Sequence, residues 1–272
     1  MKREFFETDD GCRLAYVDAG RGVPFLWQHG LGADQSQPAE VLPPLEGIRR
    51  ITLECRGHGE SALGNVDAIS IAQFADDAIA LLDHLGIERA VLGGISLGAA
   101  VALRLAVTRR ERAAALILAR PAWTDEPAPA RLRIYRDVAG LLEAHGASEG
   151  RRHLEASSRF REIERISPDN AASMRGFFER PDPASTIALL DRIPAQGPGV
   201  SRDDIGGLAL PTLVVANDHD YVHPLETAVA LAGWIPGAEL RRITSKTVSR
   251  RQYVDEFGQT LSDFLTPMRE HA

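Results

Sequence analysis

One serine in this chain sits in a pattern that could make it react. Gly94-Ile95-Ser96-Leu97-Gly98 lies between an apolar run, Ala90-Val91-Leu92-Gly93, and an alanine-rich one. A serine hydroxyl is a poor nucleophile unless it is held away from the bulk of the main chain. A G-x-S-x-G turn does this by setting the serine on a strained strand-to-helix corner, where the glycines tolerate close backbone approach. The N-terminus of the helix that follows favours negative charge developing beside it. The plainer alternative is a strand–helix turn that merely contains a serine. It is the weaker reading here, because the strand and helix patterns the motif requires are both present.

A second cluster, His29-Gly30-Leu31-Gly32, follows an apolar run that ends at Gln28. A glycine-rich loop there can turn a backbone N–H toward the Ser96 hydroxyl. With the N–H of Leu97 it would form an oxyanion hole, a large term in acyl transfer. His29 itself reads as structural, as do the charged groups of the turn-rich Arg56-Gly57-His58-Gly59-Glu60-Ser61.

These groups need elements to hold them. Phe5-Phe6, Arg13–Val17, Val23–Trp27 and Ile51–Leu53 are short runs between Gly, Asp and Pro turns and predict strands. Apolar positions Ile71, Phe74, Ala78, Leu81, Leu82 and Leu85 recur every three or four residues, so a helix is expected from Ile71, capped by Ser70 and ended by Gly86. A strand at 90–93, a helix from Gly98 to Val107 and a strand at 114–118 continue the alternation. Strands apolar on both faces imply a parallel sheet covered on both sides by helices. The alternation stops at Pro121. Up to Pro198 only helical stretches are expected: Arg131–Ala144, Arg152–Arg165, Ala171–Phe178 and Thr186–Arg192. It resumes with a strand at 212–215, a helix at 225–234, a strand at 240–243 and a last helix from Tyr253 to Leu265. A helical block between two sheet segments reads as a lid over a site. A separate second domain fits less well, since the block is short and the sheet resumes after it.

Composition bounds the class. Of 272 residues, 44% are apolar and 25% charged, which is ordinary for a globular chain. The net charge of −7 disfavours nucleic acid or an anionic membrane surface as the main partner. No apolar run approaches the roughly 20 residues needed to cross a bilayer. Met1-Lys2-Arg3-Glu4 starts no apolar segment, so no secretory signal is expected and the cytoplasm is the expected compartment. Cys12 and Cys55 lack metal-ligand or redox-pair spacing.

Taken together, His29-Gly30, the 56–61 loop, Gly94–Gly98 and Pro211–Val215 with Asp220 and Pro224 after it make the chain resemble the α/β-hydrolase superfamily, lidded variety, over essentially its whole length. The resemblance implies a mostly parallel, mostly eight-stranded sheet flanked by helices. The core would be residues 1–120 and 200–272, with an inserted helical lid, or cap, at 121–199. It implies Ser96 as nucleophile, the N–H groups of Leu31 and Leu97 as oxyanion donors, and Asp220, four residues before Pro224, as the acid. Asp218 is the competing carboxylate, closer to the strand end and more suited to a turn.

The family's histidine belongs on the loop after the last strand. Here that loop reads Ile243-Thr244-Ser245-Lys246-Thr247-Val248-Ser249-Arg250-Arg251, without a histidine, and the only one beyond it is His271. The expected slot falls near Thr247. Without a base, Ser96 should lose most of its nucleophilicity. Lys246 is the first substitute, if burial lowers its pKa. It and Lys2 are the only lysines in the chain. His223, three residues after Asp220, is the second, although before Pro224 it could equally serve a helix start and would have to turn back toward Ser96. His219 is adjacent to Asp220 but expected to point elsewhere. On this ordering Lys246→Ala should cost more turnover than His223→Ala.

The lid carries Arg131, Arg133, Arg136, Arg159, Arg161, Arg165 and Arg175, nearly balanced by acids, so most should be salt-bridged surface groups. With Lys246 they tilt the expectation slightly toward an anionic small-molecule substrate. The preferred function is hydrolysis of a carboxylic ester, lactone or related small acyl compound, with no metal or organic cofactor. Two other classes stay open: a lyase or isomerase on the same scaffold, or a ligand-binding protein that has lost turnover. Labelling of Ser96 by a fluorophosphonate separates them from a hydrolase.

Overall fold

A computed structural model describes residues 2–270. The apolar runs pair into one sheet of eight strands: β1 (Glu4–Glu7), β2 (Arg13–Gly20), β3 (Val23–Gln28), β4 (Ile48–Leu53), β5 (Ala90–Ile95), β6 (Ala113–Ala119), β7 (Thr212–Ala216) and β8 (Glu239–Arg242). The spatial order is β1-β2-β4-β3-β5-β6-β7-β8. β2 pairs antiparallel with β1 and β4, and every other neighbouring pair is parallel.

The helices are α1 (Ser36–Val41), α2 (Ile71–His84), α3 (Leu97–Thr108), α4 (Arg133–Ala156), α5 (Ser158–Ile166), α6 (Pro168–Gly176), α7 (Pro183–Arg192), α8 (Arg202–Gly206), α9 (Leu225–Trp234) and α10 (Arg250–Glu270). Side chains alternate between the faces of a strand, and that alternation sorts the core in two. Leu26, Leu92, Leu116, Leu118 and Val214 face a cluster that includes residues of α2, α3 and α9. Phe25, Trp27, Val91, Ile117, Leu213 and Val215 face Tyr253, Phe257, Leu261 and Leu265, one stripe of α10. All six residues of β5 are buried, because strands and helices surround it on every side.

Local chemistry sets several boundaries as expected. Ser70 caps α2 by accepting the Gln73 N–H at 2.9 Å, and Gly86 leaves the helix at a φ of 66°. Elsewhere the structure differs from the sequence expectation. Two helices had been expected at 131–144 and 152–165. In α4 (Arg133–Ala156) the backbone is non-helical at Gly146 (φ 69°, ψ −176°), so the first of these helical stretches does end there; the second is divided at Ser157, whose side chain accepts the Phe160 N–H and starts α5. The short α1 and α8 have too few residues to show a helical period. Helices α4 to α7 lie between β6 and β7 in the chain. Among the described residues, no helix is long and apolar enough to cross a membrane.

One feature of the topology selects a site. From β3 the chain moves to β4 on one side, and β5 then starts the march the other way. At such a switch point, the loops leaving the carboxyl ends of the two central strands part and open a crevice. Gln28, the last residue of β3, pairs in register with Gly94 of β5. The 29–32 loop and Ser96 therefore emerge side by side.

Candidate active site

Ser96 occupies the corner between β5 and α3 at φ 58° and ψ −110°, a conformation costly for a residue with a Cβ. Its neighbours hold it there. The Ser96 N–H donates to Ala119 O at 2.9 Å, and Ser96 O accepts the Ala99 N–H at 3.0 Å. The flanking glycines leave no room for substitution. A Cβ on Gly94 would lie 2.3 Å from the carbonyl carbon of Gly98, and one on Gly98 would lie 2.4 Å from Gln28 O. The sharp corner is thus possible only because both positions lack side chains.

The loop after β3 is tied at both ends. The Gly30 N–H donates to Gln37 Oε1 (2.7 Å), and the Gly32 N–H donates to His58 Nε2 (3.0 Å). His58 Nδ1 lies 3.0 Å from Arg56 O, which fixes Nδ1–H as donor and Nε2 as acceptor. His29 is held similarly, between Gly30 O (2.8 Å) and the Cys55 N–H (3.0 Å). Burial pushes the pKa of both rings down, keeping them neutral. Both histidines are framework, as expected. Among the described residues, the Leu31 N–H between the two anchored amides has no partner in the protein. Leu97 opens α3, where a first-turn amide has no partner within the helix.

Beyond β7 the chain carries Asp220 and His223 into the same place. His223 Nε2 lies 2.8 Å from Ser96 Oγ, and His223 Nδ1 lies 2.9 Å from Asp220 Oδ1. Oδ1 also accepts the backbone N–H of His223, at 3.1 Å. The other oxygen, Oδ2, takes the Arg120 guanidinium through Nε (2.8 Å) and Nη2 (2.6 Å). Asp220 and His223 are both buried. Burial alone would raise the Asp220 pKa, but Arg120 and His223 override it and hold the carboxyl well below the usual carboxylate range. Burial lowers the His223 pKa. Arg120 and Arg131 act in the same direction, and Asp220 opposes them. A neutral ring beside an ionised carboxylate puts the proton on Nδ1 and leaves the Nε2 lone pair facing the serine hydroxyl.

The order expected from the sequence, Lys246 before His223, is reversed by these distances. Lys246 Nζ lies 3.7 Å from Glu40 Oε2 and 4.9 Å from the centre of the Tyr253 ring, and burial lowers its pKa. Its place is beside α1 and α10, held by a carboxylate and an aromatic face. The ring that reaches Ser96 comes from the loop after β7, where a three-residue offset brings His223 and Asp220 onto one bend. Asp218, the competing acid, forms a surface ion pair with Arg242 at 2.7 Å. His219 is exposed, at a φ of 56°. His271 lies outside the described residues.

The helical insertion touches both halves of the site. The ring of Phe177 packs where a Cβ on Gly32 would be. Arg180 donates to Gly32 O (2.5 Å) and Gly57 O (2.8 Å). Around the 220–223 bend, Asn170 Oδ1 accepts the Val222 N–H (2.9 Å), and Arg131 Nε donates to Val222 O (2.9 Å). Of the other lid arginines, Arg136, Arg159 and Arg175 form ion pairs with acids of the same insertion, as expected for solvated faces. The sequence reading passed over Arg120. Its signal was a charged residue at the carboxyl end of an apolar central strand, directly before the chain leaves the sheet. Among the described residues, no group of three or more His, Cys, Asp or Glu is arranged to hold a metal ion.

The sequence profile of the alpha/beta hydrolase fold matches residues 23–245. The chain belongs to the α/β-hydrolase family. Its hydrolase relatives include a 2-hydroxymuconate semialdehyde hydrolase of Pseudomonas putida, 30% identical over 243 residues that cover 85% of this chain and 82% of that protein. Another is 3-oxoadipate enol-lactonase 1 of Acinetobacter baylyi, 26% identical over 256 residues, covering 88% and 87%. The enol-lactonase from Burkholderia xenovorans LB400 superposes with a TM-score of 0.77 over 97% of this chain and 100% of that one. At 24% identity, that superposition supports the shared hydrolase fold.

Proposed function

We propose that this chain hydrolyses a carboxylic ester, lactone or related small acyl compound by way of an acyl-enzyme on Ser96. The observation that carries this reading is the contact of 2.8 Å between His223 Nε2 and Ser96 Oγ, continued at 2.9 Å to Asp220. His223 takes the hydroxyl proton as Oγ attacks the carbonyl carbon. The charge that forms on the carbonyl oxygen is received by the N–H groups of Leu31 and Leu97. The protonated ring then returns its proton to the leaving oxygen, and Asp220 stabilises the imidazolium in between. Water enters by the same route: His223 removes its proton, the acyl–Oγ bond breaks, and the proton returns to Ser96.

Residues 121–199 act as the lid in this reading. Support comes from Phe177 and Arg180 against the 30–32 loop and from Arg131 and Asn170 against Val222, contacts that bind the insertion to the two loops the chemistry needs. The two relatives act, by name, on a semialdehyde and an enol-lactone, so small carbonyl compounds are the substrate class to screen.

A fluorophosphonate tests the reading directly. The expected result is stoichiometric labelling of the folded chain, abolished in Ser96→Ala. A folded protein that remains unlabelled overturns it.

A further inference from the structure

Asp220 has two oxygens and only one of them can serve His223. A carboxylate free to rotate would present either oxygen, or share both with water, and would leave the ring loosely aimed. Here each oxygen has a separate set of donors. Oδ1 receives the N–H and the Nδ1–H of His223, and Oδ2 receives two donors of Arg120. A guanidinium suits this place because it presents several donors in one rigid plane.

Arg120 is itself fixed from several sides. It follows β6 at a φ of 45°, and its N–H donates to Val215 O at 2.7 Å. Its Nη1 reaches the Tyr253 hydroxyl at 3.5 Å, and its Nη2 lies 3.4 Å from Asp169 Oδ2. An uncommon backbone conformation in a buried arginine persists only where the surroundings over-determine it.

We propose that Arg120 is a positioning residue: its guanidinium holds Asp220 Oδ2, so that Oδ1 alone faces His223 and aims Nε2 at Ser96. The proposal rests on the Ser96–His223–Asp220 reading and adds to it a fourth member that touches neither substrate nor serine. It also gives Arg120 an electrostatic task. A fixed positive charge behind the carboxylate opposes protonation of the ring, so the base stays neutral, and competent, to lower pH. The other charged or titratable groups around this centre are Asp169 on α6, Arg131 just before α4, Tyr135 on α4, Tyr253 on α10 and Lys246 after β8. Unlike these, Arg120 bonds directly to the carboxylate that faces His223.

The test separates aiming from mere support of the fold. The His223 ring is titrated by NMR, with its signal assigned by its loss in His223→Asn, and the rate of fluorophosphonate labelling is followed against pH. In Arg120→Gln the ring midpoint should rise by about one unit. The acid limb of labelling should move with it, and the plateau rate should fall about tenfold. Arg120→Lys keeps the charge but loses the fork. Its midpoint should stay near that of the unaltered protein, with labelling between the two. A midpoint and labelling rate that do not move in Arg120→Gln overturn the proposal. Should Arg120→Gln fail to fold, Arg120→Lys decides: labelling at the rate of the unaltered protein overturns it, and slower labelling at an unchanged midpoint supports it. Failure of the unaltered protein to label counts against the acyl-enzyme reading alone, since the NMR titration still reports the influence of Arg120 on His223.

Discussion

Asp220 and His223 lie on one bend of the chain, three residues apart, and are joined twice: Oδ1 of the aspartate accepts both the backbone N–H and the ring Nδ1–H of the histidine. Asp220 and His223 thus form one local unit anchored behind β7. The relatives' pattern read from the sequence instead draws the histidine from the loop after the last strand. A base supplied by its own acid's loop needs no second crossover to be positioned. It also frees the 243–251 loop, where Lys246 pairs with Glu40 instead.

Removing the base should separate the two candidates sharply. His223→Ala leaves Ser96 Oγ without its acceptor and should lower turnover of an activated ester by about a thousandfold or more. Lys246→Ala breaks a 3.7 Å ion pair and an aromatic contact at the edge of α10, and should stay within about fivefold. Initial rates with a p-nitrophenyl ester measure both. Equal losses, or a larger loss for Lys246→Ala, would put the base elsewhere.

Sequence and structure part company over His223 for a physical reason. The corner at Ser96 was legible because it is encoded in five contiguous residues whose glycines are required by contacts of 2.3 and 2.4 Å. The sheet was legible because short, continuous apolar runs between turn residues mark strands buried on both faces, with Phe25 and Ile117 on one face and Leu26 and Leu118 on the other. Asp220 came forward from the family resemblance, by its place four residues before Pro224. The direction in which His223 points depends on a bend held by Asn170 and Arg131, residues 53 and 92 positions away, and no local pattern carries that. The place of Arg120 could be read at the end of its strand but its task could not, because its partner Asp220 follows the neighbouring strand β7, 100 residues on.

Asp220→Asn should be more damaging than the loss of one charge suggests. An amide must turn either its oxygen or its NH2 toward each of two sites. Both sites are lined with donors: the His223 N–H and Nδ1–H on one side, Arg120 on the other. Arg120 cannot become an acceptor, so the oxygen goes to it and the NH2 faces the histidine. The ring must then hold its proton on Nε2, toward Ser96, where it cannot act as a base. Activity should fall by about a thousandfold to ten-thousandfold with the fold retained by circular dichroism. A loss below about tenfold would mean that the ring is oriented by something other than this carboxylate.

Stability should depend on pH in a window set by buried histidines. His29, His58 and His223 all have pKa values below the ordinary value of 6.5, chiefly from burial. Nε2 of His29 and of His58 must stay unprotonated to accept the Cys55 and Gly32 amides. Below pH 6.5 the unfolded chain takes up protons that the native chain refuses, so the unfolded state binds more protons and stability falls as pH falls. The slope is at most about 1.4 kcal/mol per pH unit for each histidine. Above the ordinary histidine value the contribution is complete and flat. The paired carboxylates add their own loss only at lower pH, because Asp10 and Asp220 are held below the usual carboxylate range, Asp10 chiefly by hydrogen bonds from Arg56 and Asp220 by Arg120 and His223 against the opposing effect of burial. Urea unfolding at pH 7.5, 6 and 5 reads the histidine window alone, and His58→Gln, which can still accept the Gly32 N–H but cannot titrate, should reduce the slope. A midpoint constant between pH 7.5 and 5 would mean that these rings take up protons in the native protein as readily as in the unfolded chain, so that burial does not hold them neutral.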